Sequence, residues 1–123
     1  DELRARAGAH LGVDAPDDAA LARLLQRASA RTMLMRILRN LVGVYRTTED
    51  WSRVVRCADR LLRLAPETPD ALRERGLGYL ALGHLDGARQ DLADYLVRNA
   101  DADDAGELRA QLLRIGGTGR ATH

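Results

Sequence analysis

Phenylalanine and lysine are both missing from this sequence, and cysteine occurs once. Each shortage excludes something. A single cysteine, Cys57, cannot close a disulfide within the chain, which fits a reducing compartment. No apolar run approaches the ~20 residues that cross a bilayer. The opening residues, Asp1-Glu2-Leu3-Arg4-Ala5-Arg6, lack the apolar core of a signal peptide. A cytoplasmic protein with no membrane contact is expected. The absence of Phe leaves an apolar set dominated by Leu and Ala. With Arg, these residues lose little side-chain freedom in a helix, so helices are favoured over sheets.

All 19 basic residues are therefore Arg, and 18 acids balance them to a formal charge of +1. A nucleic-acid binder carries its positive charge in excess on one face. Interleaved signs along helices are instead the mark of a solvated surface. Arg-mediated binding of nucleic acid or an anionic surface is the alternative reading, and nucleic acid is not the expected partner.

The chain of 123 residues, 46% apolar and 30% charged, suffices for one globular domain with a modest core. Leu3, Ala7 and Leu11 predict a short helix over 1–12, closed by Gly12. After the turn at Val13-Asp14-Ala15-Pro16, helical spacing resumes at Leu21, Leu24, Leu25 and Ala28. Ser29 is a candidate cap for a new helix from Ala30, against one continuous helix from Asp17 to Arg46. Leu34, Ile37, Leu38, Leu41, Val42, Val44 and Tyr45 then form a stripe wide enough to predict burial on two sides. Trp51, Val54, Val55, Ala58, Leu61 and Leu62 predict the next helix, ending at Ala65-Pro66. Thr68, Pro69 and Asp70 open another, with Leu72, Gly76, Tyr79 and Leu80 on its inner face and Gly83 at its end. Its partner carries Leu85, Ala88, Leu92, Tyr95 and Leu96. A last helix from about Asp103 places Ala105, Leu108, Leu112 and Ile115 inward and is half polar, as a capping helix must be. Residues 116–123 are predicted to be a flexible tail.

A 34-residue period runs through the centre. Leu38 answers Leu72, Tyr45 answers Tyr79, Val54 answers Ala88 and Leu62 answers Leu96. An aromatic in the first helix, a small residue in the second and a proline at the close of the first unit (Pro66) are the tetratricopeptide signature. The expected fold is all-α: two tetratricopeptide-like helical hairpins at about 35–68 and 69–102, and a capping helix over 103–115. N-terminal helices in 1–29 are expected to pack on this block.

Within residues 30–115 the chain resembles the bacterial SirB-type proteins. These have a transglutaminase-like domain followed by tetratricopeptide repeats. The match lies in Met35-Arg36-Ile37-Leu38-Arg39-Asn40-Leu41, in Asp50-Trp51, in Arg73-Glu74-Arg75-Gly76-Leu77 and in Asp91-Leu92-Ala93-Asp94-Tyr95-Leu96. Glu74 stands where that family usually has Asp. The resemblance implies a C-terminal, regulatory part of a longer protein. The family's cysteine and histidine would lie before residue 1.

No complete active site is legible, and a non-catalytic domain without metal or cofactor is expected. His10, His84 and His123 are far apart, and Cys57 has no Cys or His at ligand spacing. Arg56 and Arg60 flank Cys57 and would favour a thiolate. A semi-buried helix cysteine is the plainer reading. The candidate partner-binding residues are Arg36, Arg39, Asn40 and Arg46 in the first unit and Arg73 and Leu77 in the second, expected to line a concave groove. Arginine forks bind carboxylates, so the partner would be an acidic protein segment or the protein's own N-terminal domain. The plainer alternative is a solvated arginine stripe paired with nearby acids such as Glu74 or Glu107. The carboxylate clamp of tetratricopeptide cochaperones needs an Asn one turn after its first basic residue. Here Gly43 follows Arg39, so that clamp is not reproduced. Tyr45, Trp51, Gly76 and Tyr79 are expected to be structural. Arg75 stands where these repeats bury a Leu, so it must pair, with Asp91 or Asp94.

Overall fold

The computed structural model describes the backbone of residues 17–121 and the side chains of residues 17–116. It contains α1 (Asp18–Thr47), α2 (Trp51–Leu64), α3 (Pro69–Leu82), α4 (Leu85–Arg98) and α5 (Ala105–Ala121). No strand occurs among the described residues. The short helix expected over 1–12 lies outside them. By backbone contacts the chain divides into Asp1–Arg36 and Ile37–His123, a boundary that falls inside α1.

α1 begins where the Asp17 carboxylate accepts the Ala20 N–H at 2.6 Å. The break expected at Ser29 does not occur, and the helix is continuous for 30 residues. The reason lies in its composition. No Gly or Pro appears between Asp17 and Gly43, and a lone Ser is only a few tenths of a kcal/mol, roughly, below Ala in helix propensity. Nearby Thr32 donates its hydroxyl to the Ala28 carbonyl at 3.0 Å, so its polar group is satisfied without opening the helix. In the portion up to Arg36, Leu24, Leu25, Met33 and Leu34 are all exposed.

The two-sided burial expected of the later part of α1 is also overturned. Leu38 and Val42, one turn apart, are buried, whereas Ile37 and Val44 are 48% and 55% exposed. The stripe is as wide as predicted. Its second side has no covering helix among the described residues.

α1 ends at a turn in which Glu49 takes a left-handed conformation (φ 59°) and Asp50 N–H reaches back to the Tyr45 carbonyl. Asp50 then caps α2 by accepting the Arg53 N–H at 3.3 Å. α2 buries Val54, Cys57, Ala58 and Leu61. Val54 meets α3 where α3 has no side chain. A Cβ on Gly78 would stand 2.8 Å from Val55 Cγ2 and 3.5 Å from Val54 Cγ1. Pro69 occupies the first turn of α3, and Gly83 ends it at φ 82°, a value that costs glycine nothing. Thr68 sits at the N-cap of α3, but its side chain makes no capping hydrogen bond.

α3, α4 and α5 share a core of Leu72, Leu92, Tyr95, Leu96, Ala105 and Leu108. Leu62, Leu77, Ala102 and Leu112 pack around it. Trp51 and Tyr79, expected in the core, are only half-buried. At the C-terminus the predicted flexible tail is helical as far as Ala121. Glycines at 116, 117 and 119 each weaken a helix by ~1 kcal/mol relative to Ala, but with no proline present they do not interrupt its hydrogen bonds. Residues 122–123 lie outside the description.

Candidate functional site

The first helices of the two units, α1 and α3, border a cleft of about 200 Å³. Val42, Gly43, Leu61 and Ala71 give it an apolar floor, and Arg39, Arg46, Thr68, Asp70 and Glu74 supply its polar groups. Thr68 is buried.

The arginines of this region differ in what they face. Arg46 Nη1 lies 2.5 Å from Glu74 Oε1. Arg73 Nη1 donates to the same oxygen at 3.2 Å, and its Nε donates to Asp104. The Glu74 side chain is only 13% exposed, so it is largely committed to these two guanidinium groups. Arg39 forms no salt bridge or side-chain hydrogen bond among the described residues, and it is exposed at the cleft.

Only Arg39 and Arg46 of the predicted groove residues therefore line the cleft. Arg73 is partly buried and held by Asp104 and Glu74. Leu77 does not face the groove. It packs on the α3–α4–α5 core. Asn40 is exposed in a separate shallow depression with Gly43, Val44, Thr47 and Thr48. Arg36, on the Asp1–Arg36 portion, is exposed beside Ala28, Ser29, Thr32 and Met33. Sequence reasoning did not assign Asp70 or Thr68 to the cleft; Glu74 was expected only as an acid pairing the arginine stripe, and it does pair with Arg46 and Arg73. The spacing of Asp70 and Glu74, one turn apart at the start of α3, was the available signal.

Arg75 forms a second network. Its Nε and Nη2 donate to the two oxygens of Asp91 at 2.7 and 2.8 Å, a bidentate pair. Nη1 donates to Asp59 at 3.0 Å, so α2, α3 and α4 are joined through one guanidinium. The Asp91 hydrogen bonds hold the Arg75 pKa well above the ordinary arginine range despite burial. Asp94, the other predicted partner, pairs with Arg98 on its own helix at 3.3 Å. Arg75 also stands 6.0 Å from the Tyr79 ring centre, and Arg53 stands 5.5 Å from that of Tyr45.

A tetratricopeptide repeat model matches residues 41–113, more than half of the chain. The chain belongs to the tetratricopeptide repeat family. Its α-helical hairpins, small residues at helix contacts and capping helix agree with that fold. Over all 123 residues it is 50% identical to a UPF0162 protein of Xylella fastidiosa (strain Temecula1 / ATCC 700964) and 49% identical to one of Xylella fastidiosa (strain 9a5c). It spans 44% of the length of each of these curated relatives. No solved structure matches the chain.

Elsewhere in this tetratricopeptide domain, Cys57 is buried in α2. Burial pushes its thiol pKa up, against the opposing influence of Arg60 and Arg56, so the neutral thiol is favoured. No group of three metal-ligating side chains is found among the described residues. No helix of the described residues is long and apolar enough to cross a membrane.

Asp104 ties Arg73 of α3 to the start of α5. The hydrogen bond from Arg73 holds its carboxyl below the usual carboxylate range, and Tyr95 donates to it at 3.3 Å. Burial, with the Asp104 charge, raises the Tyr95 pKa in turn. A depressed carboxyl pKa contributes stability above the unfolded value, near 4, and that contribution disappears as pH falls through the folded value. Asp104→Asn is expected to destabilise the domain by about 1.5 kcal/mol at neutral pH, the low end for a hydrogen bond to a charged group, since water still reaches the pair. Urea titrations should show the gap between variant and wild type closing below about pH 4. A gap that persists undiminished in acid would mean that the carboxylate charge is not what matters.

Proposed function

We propose that this tetratricopeptide domain is a non-catalytic protein-interaction module whose α1/α3 cleft takes a carboxylate-bearing segment of a protein partner. The observation that carries the reading is the unmatched state of Arg39. It stands at an apolar-floored cleft with no acid engaged, while its neighbours Arg46 and Arg73 are already neutralised by Glu74 and Asp104. A free guanidinium offers two parallel donors to a carboxylate, and Val42, Leu61 and Ala71 offer contact to an apolar side chain beside it. The ligand that fits has one acidic group and one apolar group rather than a run of acids, because Asp70 and Glu74 share the cleft and would repel a polyanion.

The resemblance to SirB-type proteins, and relatives more than twice this chain's length, support a place beside a further domain, with a regulatory role. The partner segment would then come from that domain or from a second protein.

Fluorescence anisotropy with short labelled peptides ending in an apolar residue and Asp or Glu tests the cleft. Arg39→Glu is expected to weaken binding about tenfold or more, equivalent to ~1.4 kcal/mol. Circular dichroism should remain unchanged, because the side chain is exposed. Wild-type affinity in the variant, or no binding by the wild type, would remove the proposal.

A further inference from the structure

The apolar side of α1 left uncovered in the fold has a counterpart inside the same chain. Ile37, Leu41 and Val44 fall on one stripe, and Ile37 and Val44 are 48% and 55% exposed. Aligned on one side of the helix, they form part of an exposed apolar face rather than scattered single residues. One 34-residue period later, Ile37 corresponds to Ala71 and Val44 to Gly78. Both are buried. Gly78 is covered by α2, with Val55 Cγ2, Val54 Cγ1 and the Trp51 carbonyl oxygen all within van der Waals reach of the position its Cβ would take. In the second unit, then, this face is where the second helix of the preceding unit packs. In the first unit no helix of the described residues occupies it.

We propose that the Ile37–Val44 face of α1 seats a further amphipathic helix, supplied by the part of the longer polypeptide outside these 123 residues and packed on α1 as α2 packs on α3. Two observations support that occupant. The α2–α3 contact gives the geometry, since repeats of this kind bury their faces only by stacking on a neighbour. Relatives that align over all 123 residues are more than twice its length, so they hold enough additional chain for such a helix.

The surroundings define its chemistry. The depression beside Val44 is walled by Asn40, Gly43, Thr47 and Thr48, so no charge is required of the incoming helix. Sizes are inverted relative to the internal contact. α3 offers Gly78 to Val54 and Val55 of α2, whereas α1 offers Val44 at the equivalent place and Ile37 two turns before it. The incoming helix should therefore carry Ala or Gly opposite them. A second copy of the same face would instead set bulky residues against bulky residues. The face is also distinct from the peptide cleft, since Arg39 lies about 200° around the helix from Ile37.

Cysteine accessibility tests this. Ile37→Cys, Val44→Cys and the control Val97→Cys would each be made with Cys57→Ala, in the 123-residue chain and in the longer polypeptide. Val97 is 81% exposed. In the short chain all three should react with a maleimide at similar rates. In the longer polypeptide positions 37 and 44 should slow by roughly tenfold or more while 97 is unchanged. Matching circular dichroism establishes that each variant folds. Equal rates in both proteins would overturn the proposal. So would slow labelling of the short chain: if it deepened with concentration, a second copy covers the face, and if it did not, the chain's own residues do.

Discussion

Arg75→Ala should lower the stability of this domain by about 3 kcal/mol, near the bottom of the range for breaking a buried ion pair. The loss comes less from the missing arginine than from what it leaves behind. Asp91 has a side chain only 8% exposed, and both its oxygens are satisfied by Arg75. Without the guanidinium its charge is stranded between α3 and α4. Arg75 is itself 22% exposed, so water tempers the effect. For a domain of this size the melting temperature should fall by roughly 10–20 °C. Asp59, the second acid at the site, keeps Arg63 at 3.1 Å and is not stranded. The double variant Arg75→Met with Asp91→Leu removes both charges and fills the space with apolar atoms. It should recover most of the loss, since buried pairs replaced in full are often neutral or better. If thermal denaturation shows single and double variants equally weakened, stranding of Asp91 is not the cause.

Leu92→Ala is expected to cost about 2–5 kcal/mol, as deletion of a fully buried leucine does. Leu92 has no exposed surface and lies among Leu72, Tyr95, Leu96 and Leu108, so collapse around the gap is restricted. Its partner across the α3–α4 contact is Gly76. A Cβ there would sit 2.9 Å from Leu92 Cγ and Cδ2 and 3.1 Å from Asp91 Cβ. Gly76→Ala alone should cost about 1–3 kcal/mol in overpacking, offset by about 1 kcal/mol of helix propensity. Truncating Leu92 to alanine removes both the Cγ and the Cδ2 that this Cβ would meet. The two substitutions together should therefore be less damaging than the sum of each alone. Chemical denaturation of the four proteins in the cycle gives the coupling, and strict additivity would show that Gly76 is not shaped by Leu92.

The repeat was legible because its signal is redundant. Leu38 and Leu72, or Val54 and Ala88, occupy equivalent places, and all are buried. Arg75 was legible for a different reason: a guanidinium at a position that is usually leucine must find a carboxylate. What escaped was whatever depends on a neighbour distant in sequence. The apolar stripe on α1 predicted burial on two sides, but among the described residues only the Leu38–Val42 side is buried, because periodicity does not tell whether a second neighbour is present to cover the other. Leu77 and Asn40 were assigned to the groove by helical spacing, and small errors of rotation suffice to send them elsewhere. The partners of Arg46 and Arg73 lie on another helix or at the start of one, at separations of 28 and 31 residues. Glu74 is legible as a nearby acid for the arginine stripe, whereas Asp104, which reads as a helix-start residue, gives no local sign of pairing with Arg73. Ser29 was overread, since a capping residue does not end a helix when nothing nearby opposes its continuation.

The charged links of the domain share one property. Arg46 to Glu74, Arg73 to Asp104, and Arg75 to Asp59 and Asp91 all span less than one 34-residue period. These links tie their helices to near neighbours along the chain. The domain behaves as a one-dimensional system, in which a perturbation decays with distance instead of spreading through a common centre. Its two ends can diverge in sequence, one accommodating a new neighbour and the other a new cap, while the middle repeats hold their form.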